Sequence, residues 1–101
     1  MGLDVQLFDS DDNELSLFEI EQHFHDAIFY ETKNWGSYQY LRKIKDYYAP
    51  NIYWNKEELK EFIDDLNSYK IFIGKEYLPH LNSLIDRLSD ERISRIRITG
   101  D

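Results

Sequence analysis

Three short stretches hold residue types that could do chemistry, and their spacing limits what that chemistry is. Asp9, Asp11 and Asn13 alternate like the first ligands of a calcium loop. The pattern then fails: Glu14 stands where a glycine must turn the chain, and Ile20 where a bidentate glutamate must close the site. An exposed acidic turn is the expectation instead. His23, His25 and Asp26 offer zinc ligands. At 3.6 residues per turn, however, positions two apart on a helix point about 200° away from each other, so the two histidines cannot share an ion. His80 is remote in sequence. Asp64 and Asp65 are adjacent carboxylates of the kind used in acid–base hydrolysis, but with 20 acidic residues in the chain such a pair carries no information. There is no cysteine for thiolate chemistry, no serine sits in a nucleophile elbow, and four glycines form no phosphate-cradling loop. The expectation is a protein with no catalytic residues, no metal and no cofactor.

What the chain does have is a segregated charge. Its first 32 residues contain nine carboxylates and not one lysine or arginine. The remaining eleven acids share the rest of the chain with all twelve bases, so the net charge of −8 arises in the N-terminal third. A one-signed field of this kind repels nucleic acid and anionic lipid and attracts a cationic partner. Asp9, Asp11, Asp12, Glu19 and Asp26 are the candidates to steer that encounter and pair with lysines and arginines. The second feature is aromatic. Tyr30, Trp35, Tyr38, Tyr40, Tyr47, Tyr48, Tyr53 and Trp54 place half of the sixteen aromatic residues within one quarter of the chain. Tyrosine and tryptophan combine a large contact area with one polar end and are enriched at binding hot spots. Phe29, Trp35, Tyr38 and Tyr47 are therefore the candidate anchors of a partner surface.

The elements that must position these residues follow from periodicity. Leu3, Val5 and Leu7 alternate with polar neighbours, which predicts a strand over 3–8, followed by an Asx-rich turn over 9–14. Ser16 and Glu19 match a capping box, and Leu17, Ile20, Phe24, Ala27 and Ile28 form one stripe, which predicts a helix over about 17–31 with Phe29 off the stripe beside Asp26. Lys33-Asn-Trp-Gly-Ser37 breaks it. Residues 38–48 suit a second helix, with a strand over 38–41 as the alternative. Ile52–Trp54 reads as a short strand. Asn55 and Glu58 form a cap pattern flanked by Trp54 and Leu59, opening a helix that buries Phe62, Ile63 and Leu66. Leu78 to Leu88 is a further helix with Pro79 in its first turn, and Arg95 to Thr99 a closing strand with a basic face. The terminal strands should pair, bringing that basic face opposite Asp4 and Gln6, because a lone strand leaves its backbone unsatisfied. The expected architecture is a small α+β domain spanning 1–101. A two- to three-stranded sheet from the terminal strands would pack with three to four helices.

A chain of 101 residues can bury one modest core without disulfides or metals. No apolar stretch is long enough to span a bilayer, and the acidic N-terminus is unlike a signal or transit peptide, so a cytoplasmic protein is expected. Three stretches carry a resemblance. Met1-Gly2-Leu3 runs through the alternating strand into Phe8-Asp9 and further acids. Trp54-Asn55-Lys56-Glu57-Glu58-Leu59 opens a helix reaching Leu66. Glu76 through Ile98 has the layout of a closing helix and strand. Together they are similar to the immunity protein 70 family of bacterial toxin–immunity pairs, although Ala49-Pro-Asn-Ile-Tyr53 stands where that family has an acidic, glycine-containing turn. The resemblance implies a cytoplasmic antitoxin. It would bind and neutralise a cognate toxin domain, most concretely a basic nuclease, without contacting nucleic acid or membrane. The alternative is a phage-encoded inhibitor such as an anti-CRISPR or DNA-mimic protein using the same physics.

Overall fold

The computed structural model describes residues 3–45 and 51–100. Strand β1 (Leu3–Phe8) buries Leu3, Val5 and Leu7 and leaves the alternate residues half-buried, as its period of two requires. It turns back at Asp9–Asn13 into β2 (Glu14–Ile20), with Leu3 opposite Ile20 and Val5 opposite Phe18. The turn is closed by its own acids. One Asp9 carboxylate oxygen accepts the Asp11 and Asn13 N–H groups, each at 2.9 Å, and Asp12 occupies the left-handed region at φ 63°. Aspartate tolerates that region better than most residues. Between Leu7 and Phe8 the register shifts by one, and Leu15 is the extra residue of a β-bulge.

Strand β2 corrects the predicted helix over 17–31. Ser16, Phe18 and Ile20 alternate with Leu17 and Glu19 as a strand requires, while Leu17, Ile20 and Phe24 fit a helical stripe. The demand of β1 for a hydrogen-bonded neighbour decides between the two readings. Helix α1 is therefore short, Gln22–Phe29, and keeps Phe24, Ala27 and Ile28 of the predicted stripe. The predicted helix over 38–48 is also replaced. A 3-10 turn spans Asn34–Ser37 and another Leu41–Ile44, and no strand forms over 38–41. Leu41 and Ile44 plug the core, while Tyr47 and Tyr48 lie outside the described residues.

Strand β3 (Asn51–Asn55) leads directly into helix α2 (Lys56–Tyr69) through the predicted capping box. Glu58 N–H donates to Asn55 Oδ1 at 2.9 Å, and Asn55 N–H donates to Glu58 Oε1 at 3.2 Å. Trp54 and Leu59, the staple pair around it, are both buried. Helix α3 (Leu78–Leu88) carries Pro79 in its first turn and is followed by β4 (Arg95–Thr99). The sheet is fully antiparallel, in the order β2-β1-β4-β3, so among the described residues it has four strands rather than two or three. The terminal strands pair at its centre, with Gln6 opposite Arg97 and Asp4 opposite Thr99. Phe24, Ile28 and Phe29 of α1, Leu59, Phe62, Leu66 and Tyr69 of α2, and Leu81, Leu84, Ile85 and Leu88 of α3 join Leu3, Val5, Leu7, Trp54, Ile96 and Ile98 in one core on one side of the sheet. The class is α+β.

Candidate protein interface

Among the described residues, no helix lies on the other side of the sheet. Period-two alternation puts Asp4, Gln6 and Phe8 of β1 on that side, together with Arg95, Arg97 and Thr99 of β4. Leu17 and Glu19 of β2 and Tyr53 of β3 join them by register. None of Phe8, Leu17 and Tyr53 belongs to the core; Leu17 is 59% and Tyr53 51% exposed.

Strand register orders these side chains into rows. Leu17, Gln6, Arg97 and Tyr53 cross the middle of the face, and Glu14, Phe8, Arg95 and Asn55 lie beside them. Each arginine rests on an aromatic ring. The Arg95 guanidinium carbon is 4.4 Å from the Phe8 ring centre, and that of Arg97 is 5.2 Å from the Tyr53 ring centre. Both Nε atoms are buried without a hydrogen-bond partner, so ring stacking is the contact that holds the inner end of each guanidinium. Arg95 also pairs with Asp12 of the hairpin turn at 3.0 Å. Gln6 Nε2 donates to Glu14 Oε1 at 3.2 Å, confirming that Glu14 sits on this face. At the other end of the hairpin, Asp4 and Glu19 occupy directly opposed positions and concentrate negative potential there.

The acids singled out in the sequence therefore divide. Asp9, Asp11 and Asp12 crowd the β1–β2 turn, while Glu19 lies five residues along β2 from Glu14, about 17 Å at the rise of an extended strand. Asp26 is on α1, half-buried, with its backbone carbonyl accepting the Tyr30 and Glu31 N–H groups. The aromatic candidates take a different place. Phe29 is only 5% exposed and is a core residue, not a surface anchor. Its ring is covered by neighbours outside the predicted stripe, His25 at 4.6 Å and Trp35 of the 34–37 turn at 5.4 Å between ring centres. Trp35 is half-buried and donates from Nε1 to the Phe29 carbonyl at 3.2 Å. Tyr38 is half-buried, edge-on to Tyr69 at 5.3 Å. Tyr47 lies outside the described residues. Acids and aromatics do not form the single patch expected. The aromatics on the helix-free face are Phe8 and Tyr53, each under an arginine, and alternation could have identified them: Phe8 shares the parity of Asp4 and Gln6, and Tyr53 falls between the two inward residues of β3.

His23 and His25 separate as their spacing required, whereas His80 of α3, remote in sequence, comes to 6.2 Å from His23 between ring centres. His25 is fully buried, its Nε2 donating to the Ile44 carbonyl at 2.7 Å, whereas exposed His23 lies 3.1 Å from Glu21. Among the described residues no group of three or more His, Asp or Glu side chains is arranged to hold a metal ion. No helix among them is long and apolar enough to cross a membrane. The strongest local electrostatic effect is structural. Hydrogen bonds from the Arg92 side chain and backbone hold the Asp90 carboxyl down at about 2, in the turn between α3 and β4. No family model matches this chain, and neither a curated protein nor a solved structure shows significant similarity to it.

Proposed function

We propose that this protein is an immunity-type inhibitor that binds and neutralises a cognate bacterial toxin domain, a basic nuclease being the class that fits best. The observation that carries this reading is the bare sheet face: two arginines stacked on Phe8 and Tyr53, exposed Leu17, and carboxylates at both ends. Interfaces are enriched in aromatic residues and arginine, and complementary charge sets orientation and association rate. The acids of the hairpin would meet a cationic surface, and Tyr53 with Arg97 would supply the centre that loses its water. The mixed composition favours a protein partner over the DNA-mimic alternative, since a mimic of phosphates gains nothing from Arg95 and Arg97 at the middle of its face.

The test is co-production with a basic effector domain encoded beside the gene, read as rescue of bacterial growth and as association on a biosensor. Growth rescue is expected, with an association rate that falls as salt rises from 50 to 500 mM, on the order of tenfold or more. Replacing Asp4, Asp11 and Glu14 together by their amides should slow association at low salt. A rate indifferent to both salt and the amide substitutions sinks the reading.

A further inference from the structure

Strand β2 closes one side of the sheet, and nothing pairs with its outer edge along Glu14–Phe18 among the described residues. Beside the end of that edge lies a groove of about 470 Å³ between β2 and α3. Its floor is apolar: Phe18 and Ile20 from β2, Phe24 from α1 and Leu84 from α3. His80, Ser83 and Arg87 form the α3 wall; with Leu84 they lie one helical turn apart on a single face of that helix. The Arg87 guanidinium sits 4.7 Å over the Phe18 ring. Glu21 stands at the far rim, where β2 passes into α1.

An exposed edge next to a groove that accepts alternate side chains is the arrangement by which a sheet captures an extended peptide. Main-chain hydrogen bonds provide affinity and the groove provides selectivity. We infer that β2 and α3 together take an extended, basic segment of a partner protein as a fifth strand. Its backbone pairs along Ser16–Phe18, an apolar side chain enters above Leu84 and Phe24, and a flanking lysine or arginine meets Glu21 at the rim of the groove. Charge selects this occupant. A second copy of the chain would bring Glu14 and Glu21 of both molecules onto one edge, and like charges there oppose self-pairing. The inference rests on the proposed binding of a basic protein, but it concerns a different surface from the Arg97–Tyr53 face.

The probe is a capped eight-residue peptide alternating lysine with valine or isoleucine, titrated into the isotope-labelled full chain. Amide shifts are expected along residues 14–18 and 80–87. Methylating alternate peptide nitrogens removes the main-chain donors and should weaken binding at least tenfold. Ser83→Trp, an exposed position on the α3 wall, should weaken it similarly without lowering the melting temperature. Equal binding of the methylated peptide, shifts confined to the 9–13 turn or the Arg97 face, or a β2-paired dimer in sedimentation would each overturn the inference. The proposed function is judged separately. Failure of the peptide with effector binding intact removes only the groove, and effector binding indifferent to charge removes only the toxin reading.

Discussion

Asp65 offers the sharpest test of how the fold is held. From α2 it reaches across to the loop before the Leu41–Ile44 turn, where one carboxylate oxygen accepts the Tyr40 N–H at 2.8 Å and the Leu41 N–H at 3.1 Å. Leu41 is fully buried and Tyr40 half-buried, so neither amide is well placed to recover its bond from water. Hydrogen bonds to a charged acceptor are worth about 1.5–3 kcal/mol each, and partial exposure of the site puts the pair at the lower end. Asp65→Ala should therefore cost about 2–3 kcal/mol, a large share of the roughly 5–15 kcal/mol that a domain of this size has. At about 4–8 °C per kcal/mol the melting temperature should fall by roughly 10–20 °C. Asp65→Asn keeps an acceptor and should recover about half of the loss. Urea unfolding followed by tryptophan fluorescence gives the number directly. A change for Asp65→Ala within about 0.5 kcal/mol would refute the assignment, since that is what an ordinary surface substitution does. Asp64, its exposed neighbour, is the control and should show that small effect.

Phe29→Ala should destabilise by about 3–5 kcal/mol, as buried aromatic truncations do, yet leave partner affinity unchanged under conditions where the variant is folded; a loss of affinity alone would return Phe29 to the interface. Tyr53→Ala should do the opposite, costing little stability but about 2 kcal/mol of binding, near thirtyfold in dissociation constant by biosensor. Asp9→Ala removes the acceptor of two turn amides and should cost about 1 kcal/mol, whereas Asp11→Asn should alter only the association rate; equal stability of the two variants in urea would contradict this division. Asp90, held at about 2 by the side-chain and backbone bonds of Arg92, gives stability that is complete above its ordinary value of 3.8 and drains as the pH falls through about 2. An NMR titration midpoint near 3.8 would show that those bonds do not persist in solution.

The parts of the fold legible in the sequence are those in which local chemistry and tertiary need agree. Asn55 and Glu58 cap α2 as their spacing predicts, because a cap depends on three residues and little else. The pairing of the terminal strands was legible because two lone alternating strands each required a neighbour. Residues 14–20 were misread because Leu17, Ile20 and Phe24 satisfy a helical stripe while Ser16, Phe18 and Ile20 satisfy a strand. Only the presence of β1 beside them decides. The aromatic interface was misplaced for a different reason: Phe29 does lie off the Phe24–Ala27–Ile28 stripe, but Trp35 of the following 3-10 turn packs on its ring, and helix periodicity says nothing about that neighbour. Residues 34–45 fold as two 3-10 turns whose support comes from Asp65, 24 residues away from Leu41, and no local pattern announces that.

The concentration of acid near the N-terminus is thus only partly accounted for by the fold. Some of it holds the hairpin. Asp9 closes the turn, and Asp12, in its left-handed conformation, reaches Arg95 on the strand that arrives last in the chain. An ion pair spanning most of the sequence helps fix the register of β4 against β1, where a slip of one residue would turn Arg95 and Arg97 into the core. The remaining acids on this side, Asp4, Asp11 and Glu14 among them, are not needed for that closure. A cluster of like charge in a small domain opposes compaction, and the fold tolerates it here because Arg95 and Arg97 are carried onto the same face by the central strand. What results is a surface whose centre is cationic and aromatic and whose ends are acidic. In the proposed complex such a face would meet a partner bearing an acidic point within a basic field, and a polyanion would meet repulsion at both ends.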